Sequence, residues 1–261
     1  MILEDFHTHT LFSDGFASPA EMAEAAAARG LSRLGFSDHS YTAFDPEVCM
    51  ARERAVQYRE TVAALREKYR GKPDLFCGIE QDFYSDQRAE GFDYIIGCVH
   101  YLKLDGGYYC VDDKPETLRE MTEKYFGGDP YGMAEEYFRT EARVVEQTRC
   151  DLIGHFDLIA KLNEKYPLFD TAHPRYIAAW KAAADQLLET GKPFEINTGG
   201  LSRGWRSVPY PAPDIIRYLA GRGARFILSS DSHQTDTLCF GFDQQAAAAA
   251  ALGAKIVRFE F

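Results

Sequence analysis

The 261-residue sequence lacks the usual signals for membrane insertion or export. No run of about 18 apolar residues, enough to cross a bilayer, occurs in it. The N-terminus lacks the basic region and long apolar segment of a signal peptide. Its six cysteines are scattered without a C-x-x-C pair, which argues against a disulfide framework or a cysteine zinc site. We therefore expect a cytoplasmic protein with reduced, mostly buried cysteines.

Positive charge and nucleotide-binding motifs are also scarce. The chain has 29 Lys and Arg against 40 Asp and Glu, a net charge of −11, so we expect no nucleic-acid partner. The absence of a G-x-G-x-x-G or P-loop motif argues against a nucleotide cofactor. No G-x-S-x-G elbow is present, and we identify no protein nucleophile. A small anionic substrate remains compatible, because bound metal ions can invert the local field.

What the sequence does contain is a regular alternation of apolar runs and helical patterns. The predicted strands are 2–6, 31–36, 75–79, 94–99, 151–153, 193–196, 225–229 and 255–259, and the main predicted helices are 19–29, 46–69, 131–148, 174–190, 213–220 and 244–251. Seven or eight such units predict an α/β fold, a TIM-like barrel in a single domain over residues 1–261. Residues 102–129, with a turn at 105–107 and a helix at 114–126, interrupt the rhythm. We interpret this segment as an inserted helical lid.

Metal-ligating residue types follow the predicted strands. His7 and His9 lie one residue apart at the end of the first strand and should project to one side. Alone, such a pair could arise by chance. The whole set of candidate metal ligands is His7, His9, Asp14, His39, Glu80, His100, His155, Asp231 and His233. Each follows a predicted strand on the face where barrel active sites are built, and imidazoles with carboxylates suit Zn, Mn or Fe.

Neighbouring residues offer alternatives to two of these assignments. Asp38 competes with His39, and Asp82 competes with Glu80; we prefer His39 and Glu80 because each closes its strand more directly. Asp82 is then expected to orient a ligand by hydrogen bonding. The remaining histidine, His173, stands where a helix begins, and a capping or surface role suffices for it.

The candidate ligands also resemble a known family. The motifs are His7-Thr8-His9, Asp14, Ser37-Asp38-His39, Gly78-Ile79-Glu80, Val99-His100, Gly154-His155 and Asp231-Ser232-His233. Together they are similar to the PHP (polymerase and histidinol phosphatase) superfamily over essentially the whole chain. The stretches 95–101, 152–157 and 195–198 resemble its histidinol-phosphate phosphatase subgroup in particular. The resemblance implies a distorted (β/α)7 barrel with three metal ions.

It also implies how the ligands are shared. One ion would take His7, His9, Glu80 and Asp231; Glu80 would bridge to a second held by His100 and His155; and Asp14, His39 and His233 would hold the third. The implied activity is a metal-dependent phosphomonoesterase that hydrolyses L-histidinol phosphate to L-histidinol and phosphate in histidine biosynthesis. We find no departure from the nine-ligand pattern, which favours a working catalyst over the degenerate modules of the superfamily.

Two metal ions can share a hydroxide that attacks phosphorus in line. Glu80, as the bridging ligand, and Asp231, as the candidate for proton handling, complete the expected catalytic set with Arg203. The planar guanidinium of Arg203 suits phosphate, although a solvated loop arginine is an equal alternative. Weaker candidates for substrate contacts are Lys161, Asn197, Lys103 and Tyr101.

Three rival functions remain open from the sequence. The first is a PHP phosphoesterase that acts on another small phosphate ester or a nucleotide. The second is a metal-dependent amidohydrolase, which also begins with His-X-His but often uses a bridging lysine where Glu80 stands here. The third is a non-catalytic metal-binding module, in which the ions would be saturated by protein ligands rather than open to water.

Overall fold

The computed structural model describes residues 3–87 and 89–261 as a curled parallel sheet surrounded by helices. The strands are β1 (Glu4–Asp5), β2 (Arg33–Phe36), β3 (Asp74–Asp82), β4 (Tyr94–Cys98), β5 (Tyr101–Leu104), β6 (Gly107–Cys110), β7 (Leu152–Ile153), β8 (Phe194–Asn197), β9 (Arg225–Ser229) and β10 (Lys255–Ile256). All except β5 and β6 form one parallel sheet in chain order, β1-β2-β3-β4-β7-β8-β9-β10. Strands β5 and β6 pair as a separate antiparallel hairpin.

Helices connect the strands on the outside of the sheet. They are α1 (Pro19–Ala28), α2 (Arg54–Tyr69), α3 (Pro115–Phe126), α4 (Pro130–Glu141), α5 (Val144–Thr148), α6 (Pro174–Leu188), α7 (Gly199–Ser202), α8 (Pro213–Ala220) and α9 (Phe242–Ala251). The first begins with a capping box, in which Ser18 and Glu21 bond each other's backbone N–H groups. No helix in the described part of the chain is long and apolar enough to cross a membrane.

The sheet closes into a distorted barrel, as expected. At the carboxyl ends of the strands, Thr8 forms a parallel bridge with Ser232, and the His9 N–H donates to the Ser232 carbonyl at 2.8 Å. At the opposite end of the barrel, the last residues of the chain lie beside β1, where the Phe259 N–H donates to Glu4 at 2.9 Å. A single bridge thus joins the first strand to the penultimate one.

Packed aromatic side chains fill the interior of the barrel. Tyr94 crosses it and donates its hydroxyl to the carbonyls of Phe6 (2.6 Å) and Phe36 (3.0 Å). Gly35 and Gly78 make room for this ring: a Cβ at either position would lie within 2.3 Å of a Tyr94 atom. The interior is therefore a packed core, and the active site of such a barrel is expected at the carboxyl ends of the strands.

One predicted helix is shorter than expected. The pattern 46–69 was continuous, yet α2 begins only at Arg54. The preceding residues are held as a loop by distant contacts, since the Met50 N–H donates to the His39 carbonyl at 3.0 Å and the Thr42 N–H contacts the Cys49 sulfur at 3.3 Å. These tertiary bonds replace helical ones, and they place the loop beside the ends of the strands.

Other boundaries also move. The predicted helix 131–148 is two helices, α4 and α5, and the last strand ends at Ile256 rather than 259. Residue 2 of the predicted first strand lies outside the described residues. Strand β3 continues to Asp82, so Glu80 lies within a strand and not after it. Because β2 stops at Phe36, Glu80 is nevertheless level with His39, to which it is bridged.

The interrupting segment 102–129 contains the β5–β6 hairpin, which was predicted only as a turn, and helix α3. Helix α3 buries Leu118 and Met121 in the largest apolar core. The part of the segment that reaches the ends of the strands is the loop with Asp112 and Lys114. Its function as a lid stays a prediction.

Candidate metal centre

The predicted ligands meet at the carboxyl ends of the strands. In the first group, His9 Nε2 lies 3.3 Å from Asp231 Oδ1 and 3.5 Å from Glu80 Oε2. His7 Nε2 lies 3.4 Å from Glu80 Oε1 and 3.8 Å from Asp231 Oδ1. Donor atoms of His7, His9 and Glu80 all lie within 4.8 Å of one another, close enough to share one ion, and Asp231 contacts both histidines.

Glu80 also faces a second group. Its Oε1 lies 2.8 Å from His155 Nε2 and 3.2 Å from His100 Nε2. One carboxylate therefore contacts the imidazoles of both groups, which is the geometry that a bridging ligand needs. His39 Nδ1 lies 2.8 Å from the other oxygen of Glu80, Oε2.

A third group surrounds Asp14. Its Oδ2 lies 3.2 Å from His233 Nε2, and its Oδ1 lies 3.7 Å from His39 Nε2. His9 Nδ1 is 3.6 Å from the same Oδ1, and the His9 ring stacks on His233 with centroids 4.2 Å apart. The implied grouping placed His9 with the first ion only, whereas its two nitrogens face the first and third groups.

The chain uses unusual backbone geometry to aim Asp231. Its φ angle is +51°, in the left-handed region that residues other than glycine rarely adopt. The turn directs the carboxylate toward His7 and His9, while Ser232 pairs with Thr8. The barrel closure thus sets the position of this ligand.

Asp38 organises the loop that carries Asp14. It accepts hydrogen bonds from the backbone N–H groups of Thr10 (2.8 Å) and Ser13 (3.0 Å). Gly15 is needed because a Cβ there would lie 2.5 Å from the carbonyl carbon of His9. Asp38 and His39 were the two candidates for one ligand position. Asp38 is bound to this loop, and His39 faces the cluster.

Several donor atoms in the cluster have unsatisfied lone pairs. Within residues 3–87 and 89–261, the buried atoms without a hydrogen-bond partner include His7 Nε2, both ring nitrogens of His9 and Glu80 Oε2. Leaving such an atom unpaired costs roughly 1–3 kcal/mol, so a concentration of them requires an explanation. Metal ions bound to these atoms provide it, and the residues present fit divalent metal ions.

The protonation states of His9 and Glu80 fit metal binding, whereas in the absence of metal ions, although burial opposes it, carboxylate charges raise the pKa of His7 and His39. Burial, with the charges of His233 and His39, lowers the pKa of His9 to about 3, which keeps its imidazole neutral. Burial opposes ionisation of Glu80, but the histidine charges around it, that of His39 first, hold its pKa well below the usual range. Metal ligands must be neutral imidazoles and ionised carboxylates.

The structure adds Glu195, which the sequence analysis missed. Glu195 Oε1 lies 2.6 Å from His7 Nδ1, and its Oε2 accepts from the His155 N–H (2.8 Å) and from Asn197 Nδ2 (3.0 Å). Although burial opposes it, the charge of His7 holds the pKa of Glu195 below its ordinary value. Two sequence signals pointed to it: Glu195 lies in the stretch 195–198 that resembles the family subgroup, and Glu195 and Asn197 alternate on one face of β8.

Asp82 and His173 lie where the sequence analysis expected them. Asp82 Oδ2 is 3.2 Å from His100 Nδ1, the contact that orients a ligand from behind. His173 caps α6 by accepting from the Arg175 N–H at 3.2 Å. Its ring stacks on the ring of Tyr131.

Three of the candidate substrate contacts face the open cleft beside the cluster. Arg203 donates to Asp231 Oδ2 and to the Asp231 carbonyl, both at 2.8 Å. Lys161 pairs with Asp112 at 2.7 Å, and the Tyr101 hydroxyl bonds a carboxylate on the opposite wall. The cleft has a volume of about 620 Å³.

The other two candidates lie elsewhere. Asn197 is fully buried and donates to Glu195 and to Asp231 (3.3 Å), so it supports the carboxylates from behind. Lys103 is exposed, with its ammonium 5.2 Å from the centre of the Tyr108 ring, and it does not line the cleft. The hairpin carries it two residues, about 7 Å, beyond Tyr101.

Fold and site together define a distorted (β/α) barrel whose carboxyl end carries clusters of histidines and carboxylates that could hold metal ions. A family profile described as "PHP domain" matches residues 5–199. The chain belongs to the PHP family.

Known relatives cover nearly all of the chain. A "Probable histidinol-phosphatase" of Deinococcus radiodurans is 31% identical over 269 residues, covering 98% of this chain and 95% of that protein. A structure from Listeria monocytogenes has a TM-score of 0.79 at 18% identity, covering 92% of this chain and 99% of that one. The Lactococcus lactis histidinol phosphate phosphatase, "complexed with ZN, L-histidinol and phosphate", has a TM-score of 0.72 at 20% identity, with coverages of 98% and 95%. At these identities the two structures show the fold alone.

Proposed function

We propose that this protein is a metal-dependent phosphomonoesterase that hydrolyses L-histidinol phosphate to L-histidinol and phosphate in histidine biosynthesis. The observation that carries the proposal is the position of Glu80, whose carboxylate contacts imidazoles of two separate donor groups at the base of an open cleft. Two metal ions on such a bridge supply an activated water and neutralise phosphoryl charge when bound. The names of the relatives support the same reaction.

The side chains around the cluster would bind and orient the phosphate. Arg203 lies on the cleft wall with its guanidinium 2.8 Å from Asp231, where its free N–H groups can hold phosphoryl oxygens. Asp231 Oδ1 lies 3.3 Å from His9 Nε2, and although burial opposes it, the charges of Arg203 and His7 hold the pKa of Asp231 well below its ordinary value; this carboxylate would accept a proton from the attacking water. Lys161 adds positive charge on the same wall, shared with Asp112.

Carboxylates in the cleft lining support a substrate with a positively charged leaving group. They are Asp45 and Glu47, together with Asp112 and Asp113, which face Lys161 and Lys114. L-Histidinol carries an amine and an imidazole, both of which can be cationic, so opposite charges would meet at Asp45 and Glu47. A nucleotide would bring further negative charge to this lining, which disfavours that rival substrate.

The three donor groups support three ions, and the ligand types suit Zn, Mn or Fe. We extend the proposal to a single catalytic domain over residues 1–261 and to a cytoplasmic location. In the loop after β6, Asp112 and Lys114 line the cleft, so this part of the inserted segment would contact the substrate.

Phosphate release tests the proposal. L-Histidinol phosphate is compared with a nucleoside monophosphate and a sugar phosphate, with Zn, Mn and Fe supplied separately, and metal content is measured in the same samples. We expect the histidinol ester to give the highest kcat/KM and at least two ions per chain. Preferred turnover of another ester would overturn the substrate, and fewer than two ions in active protein would overturn the cluster.

Variants locate the activity within the cluster. His9→Ala and Glu80→Ala should abolish phosphate release while much of the fold survives, because each removes a donor from the centre of the site. His173→Ala is the matched control, since it removes an imidazole that only caps α6. Near-normal turnover in either cluster variant would contradict the mechanism.

A further inference from the structure

A sulfur atom lies among the donors of the second group. Strand β4 ends at Cys98, and His100 follows two residues later, so the two side chains project to the same side. The Cys98 sulfur and donor atoms of Glu80, His100 and His155 all lie within 4.8 Å of one another. All four residues are buried. The sequence analysis assigned every cysteine a structural role, yet Cys98 repeats the alternation that singled out His7 and His9.

The neighbouring strand holds this sulfur in place. Gly154 follows β7, and a Cβ there would lie 2.3 Å from the Cys98 sulfur and 3.0 Å from Ile96 Cγ2. The space that a side chain at position 154 would occupy is therefore filled by the thiol. Since Gly154 directly precedes His155, the same turn that positions this imidazole also seats the sulfur beside it.

Two atoms of the residues that form this group with the sulfur have no hydrogen-bond partner among the described residues. Within the described ranges 3–87 and 89–261, His155 Nδ1 and Glu80 Oε2 are buried without a hydrogen bond. No other cysteine in these ranges belongs to a group of histidines and carboxylates close enough to share an ion. Cys150, which is equally buried, packs against Gly97 instead.

We propose that Cys98 binds, as a thiolate, the same ion as Glu80, His100 and His155. The inference rests on the proposed metal centre and adds a ligand to it. The donor set then has one sulfur, two imidazole nitrogens and one carboxylate oxygen, which is the four-donor number of zinc. Binding releases the thiol proton to solvent, and the ion can still accept a fifth ligand during turnover. A thiolate favours zinc over manganese, so this site selects zinc.

X-ray absorption of the zinc-loaded full-length protein tests the ligand directly. A sulfur scatterer should appear at about 2.3 Å, against about 2.0–2.1 Å for nitrogen. The cobalt-loaded protein should show a sulfur-to-cobalt charge-transfer band in the near ultraviolet. Both signals should be lost in Cys98→Ser, and the preference for zinc over manganese should fall by on the order of tenfold.

Two controls match Cys98 in different ways. Cys150→Ser removes an equally buried thiol, and Cys110→Ser removes one that lines the cleft; both should keep the sulfur signals. Wild-type protein that binds two or more ions without a sulfur scatterer overturns the inference and leaves the proposed function standing. A sulfur-to-cobalt charge-transfer band that persists in Cys98→Ser would also overturn the inference. Protein that binds no metal would overturn the proposed function as well. The wild-type spectra decide the matter even if Cys98→Ser does not fold.

Discussion

Replacing Glu195 by glutamine tests how far the metal centre depends on the residues behind it. Glu195 is buried, and its two oxygens face His7 Nδ1 at 2.6 Å and the His155 N–H at 2.8 Å. Glutamine keeps the shape but removes the charge. Its single carbonyl oxygen can serve only one of these two donors, so its amide group must face the other.

The expected loss follows from these contacts. Removing a partner that orients a metal-bound histidine costs about 10-fold to 100-fold in metal affinity, or roughly 1.4–2.7 kcal/mol. A buried donor left without an acceptor lowers the free energy of unfolding of the metal-free protein by about 1–3 kcal/mol. Both effects should be visible, because the first concerns the loaded protein and the second the apoprotein.

Competition with a chelator measures the metal affinity of Glu195→Gln, and denaturant unfolding measures the stability of the apoprotein. Glu189→Gln is the control, since Glu189 is exposed and directly follows α6, at the start of the connection to β8. A metal affinity within about twofold of wild type would refute the reasoning. The contact of Glu195 with His7 would then contribute less than a hydrogen bond that orients a metal ligand typically does.

Three further predictions concern other parts of the fold. Arg203→Ala should mainly raise KM for a phosphomonoester, about 10-fold to 100-fold for a lost charged hydrogen bond; an unchanged kcat/KM would remove Arg203 from the site. Gly15→Ala should lower kcat/KM on the order of 100-fold, since its Cβ would meet the backbone of His9 at 2.5 Å and displace the Asp14 loop; steady-state kinetics with wild-type activity would contradict this. Burial raises the pKa of Glu141 well above its ordinary value, so its contribution to stability is present at low pH and is lost as pH rises through the raised value. The Tm of metal-free wild type should therefore fall relative to Glu141→Gln as pH increases, and parallel Tm curves would count against it.

The positions of the ligands along the chain could be predicted because strand ends are local features. His7, His100 and His155 each follow an apolar run, and a parallel barrel brings the carboxyl ends of such runs to one face. No knowledge of distant contacts was needed for that step. The same reasoning failed for the boundary of β3, because the extension to Asp82 depends on pairing with β4.

The surrounding residues could not be found in this way. Glu195 has no special spacing from its partner His7, which is 188 residues away. Lys103 looked as near to the site as Tyr101, and only the direction of the hairpin separates them. The choice between Asp38 and His39 likewise depended on the loop that Asp38 bonds.

The sequence by itself determined the family, the barrel and the residues of the candidate metal centre, because residue type, alternation and strand order are properties of short stretches of chain. Only the tertiary structure decided how those residues divide into groups. The closure between Thr8 and Ser232 brings Asp231 to His9, and the ring of His9 then lies between two groups instead of in one. Such proximity is set by packing across the whole barrel, which no local pattern encodes.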